Sequence, residues 1–458
     1  MGFLENIRIQ CKVSGGYLEF LNIAFPLIIS TGIESCQIFI DRIFLAKYSQ
    51  NSFIASTPAG VAYWALVCFF FGTLTYIDIF IAQYYGRKEY KFIGPILWQG
   101  VYLTFISTLI VLVISYFSSN IFLYIGHPII IIQEEIKYFK TLCYGTFPYI
   151  AETVFASFYA GRGKTKVVLL VSCFGVVTNI LLDYLLIYGK FCFPTMGIEG
   201  AAWAGNISMT LICFIYIILM LSKKNDSIYH TRCIKLNSNF IKTILKYGLP
   251  NGGELFFDTI GFGIFIFIIG KLGIEELAAS NIVSTINNIL SMVITGCGVA
   301  TSIMVGNYLG KKKISIAKLS VKSAIHISFL YVSIIVIALI FIPKQFITLF
   351  SNGEEMSLIN HINPIITRLL RLLAIYIIFN TINVIFSSAI KGAGDTLFIL
   401  RRFILYSIFL IIIPTYVSLV VLKCGIYTAW NIMLFYTIAL AISFYFRYKS
   451  KKWERIHV

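Results

Sequence analysis

The chain has 458 residues, of which 58% are hydrophobic and 12% charged, with a mean hydropathy of +0.85. An ordinary soluble domain is roughly 45–50% apolar and about 25% charged, so a water-soluble globule is excluded. The net charge of +17 does not point to nucleic acid, because the bases gather in alternate short loops and no basic face is interleaved with stacking aromatics.

Apolar runs long enough to cross a bilayer, about 20 residues each, recur from end to end. Twelve are expected, centred near Ile29, Leu66, Ile106, Phe147, Asn179, Thr210, Ile260, Leu290, Ile335, Ile378, Leu410 and Thr437. They lack the alternation of barrel strands, and every backbone polar group in lipid must be paired internally, so they are read as helices. The expected fold is all-α, a polytopic membrane protein of twelve transmembrane helices in two pseudo-symmetric six-helix lobes. The expected boundaries are a cytoplasmic N-terminal segment 1–16, an N-lobe 17–221, a polar cytoplasmic linker 222–240, a C-lobe 241–449 and a cytoplasmic tail 450–458.

The first segment holds Pro26, Glu34 and Asp41. Glu34 and Asp41 are about two turns apart, on one side of a helix. Asp78 closes the second segment near its cytoplasmic end, and Glu152 lies in the fourth. Gly161-Arg162-Gly163-Lys164-Thr165 hints at a phosphate loop, but that pattern needs a glycine where Phe158 stands, so a tight cytoplasmic loop is expected and no ATP-hydrolysing module. In the fifth segment Asn179 and Asp183 stand four apart on one face. The seventh opens with Gly248-Leu249-Pro250-Asn251-Gly252-Gly253, suited to bending or close packing, and continues to Glu254 and Asp258. Asn281 and Asn380 follow in segments eight and ten.

The bases mark the loops on one side: Arg87, Lys88 and Lys91; Arg162, Lys164 and Lys166; Lys223, Lys224, Arg232 and Lys235; Lys311, Lys312, Lys313 and Lys318; Arg401 and Arg402; then Arg447, Lys449, Lys451 and Lys452. Intervening loops carry Glu134, Glu135, Glu275, Glu276, Glu354 and Glu355. The positive-inside rule then places both termini in the cytoplasm. The first apolar run follows a polar start and lacks a small-residue cleavage site, so no cleavable signal is expected. Ten cysteines are scattered singly, without zinc spacing, and are read as packing residues.

The second half repeats the first. One offset carries Pro26 onto Pro250, Lys47 onto Lys271, Ala55 onto Ala279 and Gly86-Arg87-Lys88 onto Gly310-Lys311-Lys312. A second aligns Gly161-Arg162-Gly163-Lys164-Thr165 with Gly392-Ala393-Gly394-Asp395-Thr396, Phe155 with Phe386 and Ser157 with Ser388. With six helices per half, the repeats run parallel about an axis along the membrane normal, an arrangement typical of transporters.

A charge near the bilayer centre costs at least about 2.5–3.5 kcal/mol and is kept for a role. Two carboxylates brought together in a dry site cannot both stay ionised without a counter-cation. If Asp41 meets Asn179 and Asp183, the trio can therefore hold a proton or bind sodium, and the sequence does not separate the two. Glu34, Glu254 and Asp258 are expected to line a cavity.

Ala24-Phe25-Pro26 through Asp41-Arg42, Ala160-Gly161-Arg162-Gly163-Lys164-Thr165, Asn179-Ile180-Leu181-Leu182-Asp183, Gly197-Ile198-Glu199-Gly200-Ala201-Ala202-Trp203-Ala204, Gly248-Leu249-Pro250 with Leu255-Phe256-Phe257-Asp258, and Ile390-Lys391-Gly392-Ala393-Gly394-Asp395-Thr396 together resemble the multidrug and toxic compound extrusion (MATE) family over about residues 17 to 450, in the pattern of prokaryotic DinF-like members. The resemblance implies a non-enzymatic antiporter in the bacterial cytoplasmic (inner) membrane. It would export organic, often cationic, small molecules against protons or sodium by rocking of two lobes, without a cofactor and as a monomer among membrane lipid. It also implies that Asp41, Asn179 and Asp183 are the coupling cluster and that Asp258 and Asn281 line the substrate cavity, which Glu34, Glu254 and Asn380 are expected to complete. Asn380 stands where NorM-like members carry an aspartate, which favours first-lobe coupling. Gly205 replaces a threonine able to ligate sodium, which tilts the expectation toward protons, although Asn206 beside it could compensate.

Two other functions fit a two-lobed chain of this kind. A lipid-linked sugar flippase needs a basic cavity, for which Arg42, Arg368 and Arg371 are candidates, whereas the deeper charges here are mainly acids. A non-transporting scaffold would show no gradient-driven flux. The repeats differ at the charged positions: Glu34 aligns with Asp258, but Asp41 falls on Phe265, Asn179 on Leu410 and Asp183 on Pro414.

Overall fold

A computed structural model describes residues 11, 13–123, 127–348 and 356–456. Glu354 and Glu355 of the loop-charge pattern lie outside these residues, as do parts of the expected segments 1–16 and 450–458. Among the described residues the chain is helical throughout, with no strand, and 11 helical stretches are long and apolar enough to cross a membrane. In the first half these are α1 (Tyr17–Tyr48), α2 (Gln50–Thr75) continued by α3 (Ile77–Arg87), α4 (Ile93–Tyr116), α7 (Thr165–Tyr188) and α8 (Ile198–Met220).

The fourth expected span is broken. It consists of α5 (Ile129–Tyr144) and α6 (Thr146–Ala160), which meet at Gly145. The Asn206 side chain lies where a β-carbon on Gly145 would sit. Its Nδ2 donates to Thr141 O at 2.6 Å, pairing a carbonyl next to the joint. Asn206 is therefore committed to the break rather than offered to an ion.

A short helix, α9 (Lys223–Tyr229), leads to α10 (Ser238–Ile269). Then follow α11 (Ile274–Gly310), α12 (Ile314–Phe341), α13 (Met356–Ala393), α14 (Thr396–Tyr406) and α15 (Ile426–Lys449). Between α14 and α15 the helix passes through two π-helical stretches, Ser407–Ile412 and Val417–Val421, on either side of Pro414. Proline removes a backbone donor, and the wider turns absorb the mismatch.

By contact the residues group into two compact units, residues 29–253 and residues 1–28 with 254–458. The divisions fall inside α1, just after Pro26, and inside α10, just after the glycine run. In the first unit α7 packs on α8, α2 on α5 and α6 on α8. In the second, α11 and α15 pack on α13, and α12 lies against both α11 and α13.

The repeat extends to detail. A β-carbon on Gly161 would lie 2.5 Å from Asp78 O, and one on Gly392 2.5 Å from Ser302 O. Asp78 and Ser302 are related by the offset that carries Lys47 onto Lys271. The turns match as well: Lys88 and Lys312 both adopt left-handed φ, 62° and 57°, and so do Gly163 and Gly394 at 74° and 105°. Ala55 and Ala279 are both fully buried.

The loop at Gly161 is a tight turn, as expected, but Arg162 is not a solvated charge. Only 5% exposed, its guanidinium lies 3.6 Å from the Phe158 ring centroid, 4.5 Å from Tyr229 and 5.1 Å from Tyr159, and Nε donates to Phe158 O at 2.6 Å. Tyr229 belongs to α9, so Arg162 seats the linker helix on the first unit. Substituting methionine keeps the stem and loses the ring contacts and the charged hydrogen bond. A loss of about 2 kcal/mol or more is expected, read as a lower midpoint of thermal unfolding in detergent; an unchanged midpoint would show that the cage adds nothing.

Candidate functional site

In the first unit α1 presents Glu34, Gln37 and Asp41, α7 presents Asn179 and Asp183, and α8 presents the backbone of Gly205. What holds α1 against α7 is a buried apolar cluster of Leu45, Ala55, Ile131, Ile187, Ile198 and Ala201. Tyr188 Oη adds a hydrogen bond to Phe44 O at 3.0 Å, and the Phe44 and Tyr188 rings meet edge to face. Gly197 lets α8 begin directly beneath the Tyr48 ring, which a β-carbon would meet at 2.6 Å. Packing one to two turns beyond Asp41 and Asp183 thus fixes the helices that carry them.

Asp41 and Asp183 lie within side-chain hydrogen-bond reach of each other. Asp183 is fully buried and Asn179 is 1% exposed. The neighbours decide which way the Asn179 amide points: its nitrogen donates to Asp41 Oδ1 at 3.1 Å, and its oxygen accepts from Gly205 N–H at 3.1 Å. The Gln37 amide stands 3.0 Å away. Tyr138 on α5 adds a phenol within electrostatic reach of both carboxyls. Asp183 Oδ1, although buried, receives no hydrogen bond.

Two carboxyl groups in contact repel unless a proton or cation stands between them, and burial sharpens the demand. With the Asn179 oxygen turned to Gly205 and its nitrogen turned to Asp41, the amide offers the pair a donor rather than a ligand. Among the described residues no three His, Cys, Asp or Glu side chains come together as a metal-binding group.

The other acids form two further sets. In the first unit Glu34, exposed, and Glu152, half-buried, lie within electrostatic reach of each other. Tyr149 is near both, its ring stacked on Phe71 at 5.7 Å and edge-on to Tyr63 at 6.2 Å. In the second unit Glu254, 9% exposed, forms an ion pair with Lys391 on α13, 2.8 Å apart. Asp258, one turn further along α10, is exposed. Asn281 is exposed on α11 and Asn380 half-buried on α13, and among the described residues no hydrogen bond or ion pair joins either to Glu254 or Asp258.

The structure therefore brings together Asp41, Asn179 and Asp183, and separately Glu254 and Asp258. It adds Gln37, Tyr138 and Lys391. Gln37 was within reach of a sequence argument, since it lies three residues after Glu34 and four before Asp41 on the same helix face. Lys391 was not, because its partner is far away in sequence. Of the basic flippase candidates, Arg42 lies near Asp41, and Arg368 stacks over Tyr427 at 5.6 Å.

The counterparts in the second half are filled with apolar groups. Phe265, at the position of Asp41, is fully buried and packs on Trp430, ring centroids 6.1 Å apart; Trp430 Nε1 donates to Ser280 Oγ at 3.1 Å.

The MatE family profile matches residues 26–185 and 250–417. A probable multidrug resistance protein NorM of Photorhabdus laumondii is 25% identical over 382 residues, 82% of each chain. Another from Listeria monocytogenes is 26% identical over 304 residues, 66% of each. Among solved structures, a MOP superfamily transporter of Pyrococcus furiosus with a binding pocket of reverse polarity superposes with a TM-score of 0.86 at 18% identity, covering 98% of both chains. An outward-facing multidrug resistance MATE family transporter gives the same TM-score, 0.86, at 18% identity. These structural likenesses bear on the fold.

Proposed function

The chain belongs to the MatE family and is an integral membrane transporter, not an enzyme; from that premise we propose that it is a secondary active antiporter exporting organic, cationic or amphiphilic compounds. The multidrug resistance proteins it resembles support small-molecule export. Asp41 and Asp183 are the coupling pair, with Asn179 orienting Asp41.

The observation that carries this reading is the contact between two carboxyl groups in a buried site where Asp183 Oδ1 lacks a donor. A proton satisfies that arrangement and its release reverses it. Sodium at Asp41, Asn179 and Asp183 is the second candidate. The proton is favoured because the Asn179 oxygen is engaged by Gly205, Gly205 itself supplies no side-chain oxygen, and Asn206 is spent on Thr141.

Glu34, Glu254, Asp258, Asn281 and Asn380 face the exported compound in this reading. Two six-helix lobes, 17–221 and 241–449, alternate in access, and the protein works as a lipid-surrounded monomer in the bacterial inner membrane with both termini cytoplasmic. No cofactor is required beyond the coupling ion.

The test is flux of ethidium in proteoliposomes with proton and sodium gradients imposed separately. A proton gradient alone is expected to drive uptake into inverted vesicles. Flux that follows only the sodium gradient would reassign the ion, and flux under neither would reject the antiporter reading.

A further inference from the structure

The ion pair between Lys391 and Glu254 has no counterpart in the first half. The offsets that align the repeats place Ser30 opposite Glu254 and Ala160 opposite Lys391. Both are buried, at 4% and 8% exposure, so the same packing position is satisfied there by small, uncharged side chains. The second half carries both charges together. A buried ion pair is poor evidence of stabilisation, because desolvation offsets much of its attraction, and architecture does not demand this one.

Its surroundings suggest a use. Lys391 stands in the last turn of α13, where a cation is favoured by the helix dipole. Its Nζ reaches Glu254 at 2.8 Å, with side-chain exposures of 23% and 12%. Asp258, one turn further along α10 and exposed, lies in the electrostatic field of both. The charged groups here include two acids and one tethered ammonium, with the Tyr376 and Tyr436 phenols also within electrostatic reach of Asp258. In the first unit, by contrast, Glu34 and Glu152 lie within electrostatic reach of each other and take part in none of the ion pairs among the described residues.

We propose that Lys391 is a tethered cation that competes with positively charged cargo for Glu254 and Asp258, and so sets how tightly the second half holds a cation. An organic cation approaching Asp258 meets an ammonium one helical turn away. It either displaces the flexible lysine stem from Glu254 or binds against its repulsion. When the cargo leaves, the ammonium re-forms its pair with Glu254, and the acids never remain uncompensated. This deepens the export reading above and rests on it.

The experiment measures ethidium binding to the purified full-length protein by fluorescence, with the uncharged probe N-phenyl-1-naphthylamine in parallel. Lys391→Met is expected to lower the ethidium Kd about tenfold, equivalent to about 1.4 kcal/mol, and Lys391→Arg to leave it within about twofold. Glu254→Gln should raise the Kd, because the ammonium then turns to Asp258. Adding Lys391→Met to Glu254→Gln should reverse that loss, and this comparison remains valid if Lys391→Met alone fails to fold. The uncharged probe should bind all variants alike.

Equal ethidium affinity in Glu254→Gln and the double variant overturns the proposal. Parallel shifts for both probes do the same, because they indicate a packing role. A wild-type protein that binds ethidium and shows these shifts but transports none under either gradient leaves the competition standing and removes the export reading. Absence of ethidium binding to the wild type removes both.

Discussion

Asp41→Asn protein, reconstituted in proteoliposomes, shows ethidium flux no greater than protein-free vesicles when a proton gradient is imposed. Asparagine keeps the size and the hydrogen-bonding reach of aspartate, so the contacts of α1 with α7 survive, and the Asn179 nitrogen can still meet a carbonyl oxygen at the Asp41 position. What disappears is the second carboxyl. Asp183 then faces a neutral amide, and no like-charge repulsion forces a proton on and off as the site changes its access. Asp183→Asn is expected to give the same loss from the other side. Glu254→Gln, which alters a different set of acids, should change the affinity for the cation and retain dependence on the gradient. Normal flux in Asp41→Asn, with thermal unfolding matching the wild type, would remove the pair from the coupling role.

Gly252→Val should prevent stable assembly of the first unit. Gly248 and Gly252 stand four apart on α10 and turn one face to α2. A β-carbon on Gly248 would come 2.5 Å from Thr73 O, and one on Gly252 would collide with Phe69 O and the Thr73 side chain. Helices in lipid associate by close approach of small residues rather than by expelling water, and here Asn251 Nδ2 uses that approach to donate to Gly72 O at 2.6 Å. Valine must push the backbones apart and break this bond, at a cost of about 3 kcal/mol or more. The measure is the monodisperse fraction in size-exclusion chromatography and the unfolding midpoint. Gly263→Val, on the same helix with open space around it, should behave as wild type; if both variants behave alike, close packing is not the reason for the glycine.

Much of this was legible from residue types alone. The two halves could be found because their turns demand unusual backbone: Lys88 with Lys312 and Gly163 with Gly394 all have positive φ, and the sequences around such turns keep recognisable glycines and bases. The acids could be found because charge in an apolar segment is costly. Three things were hidden, each for a physical reason. Gln37 looked like any amide until Asn179 was seen beside it. The break at Gly145 is marked locally by Gly145 and Pro148, but the residue that fills it, Asn206, lies on the third helix after it in the chain. Arg162 counted as a loop base, although three aromatic rings enclose it. In each case the deciding contact is non-local, and periodicity reports only on neighbours along one helix.

The apolar filling around Phe265 and Trp430 has an energetic consequence. A chain made of two like halves could carry two exchangeable ions per cycle, but Phe265 is fully buried where Asp41 has its counterpart, and among the described residues only the first half retains a pair of contacting carboxyls. In the proposed mechanism the driving gradient then enters the cycle once. For an uncharged cargo, one unit of pH difference across the membrane can sustain a concentration ratio of at most about tenfold. For an uncharged cargo the membrane potential adds to this, because the inward proton is then the only charge that moves, whereas one-for-one exchange with a monovalent cation is electroneutral and gains nothing from the potential, which ties the exporter's power to the kind of molecule it moves.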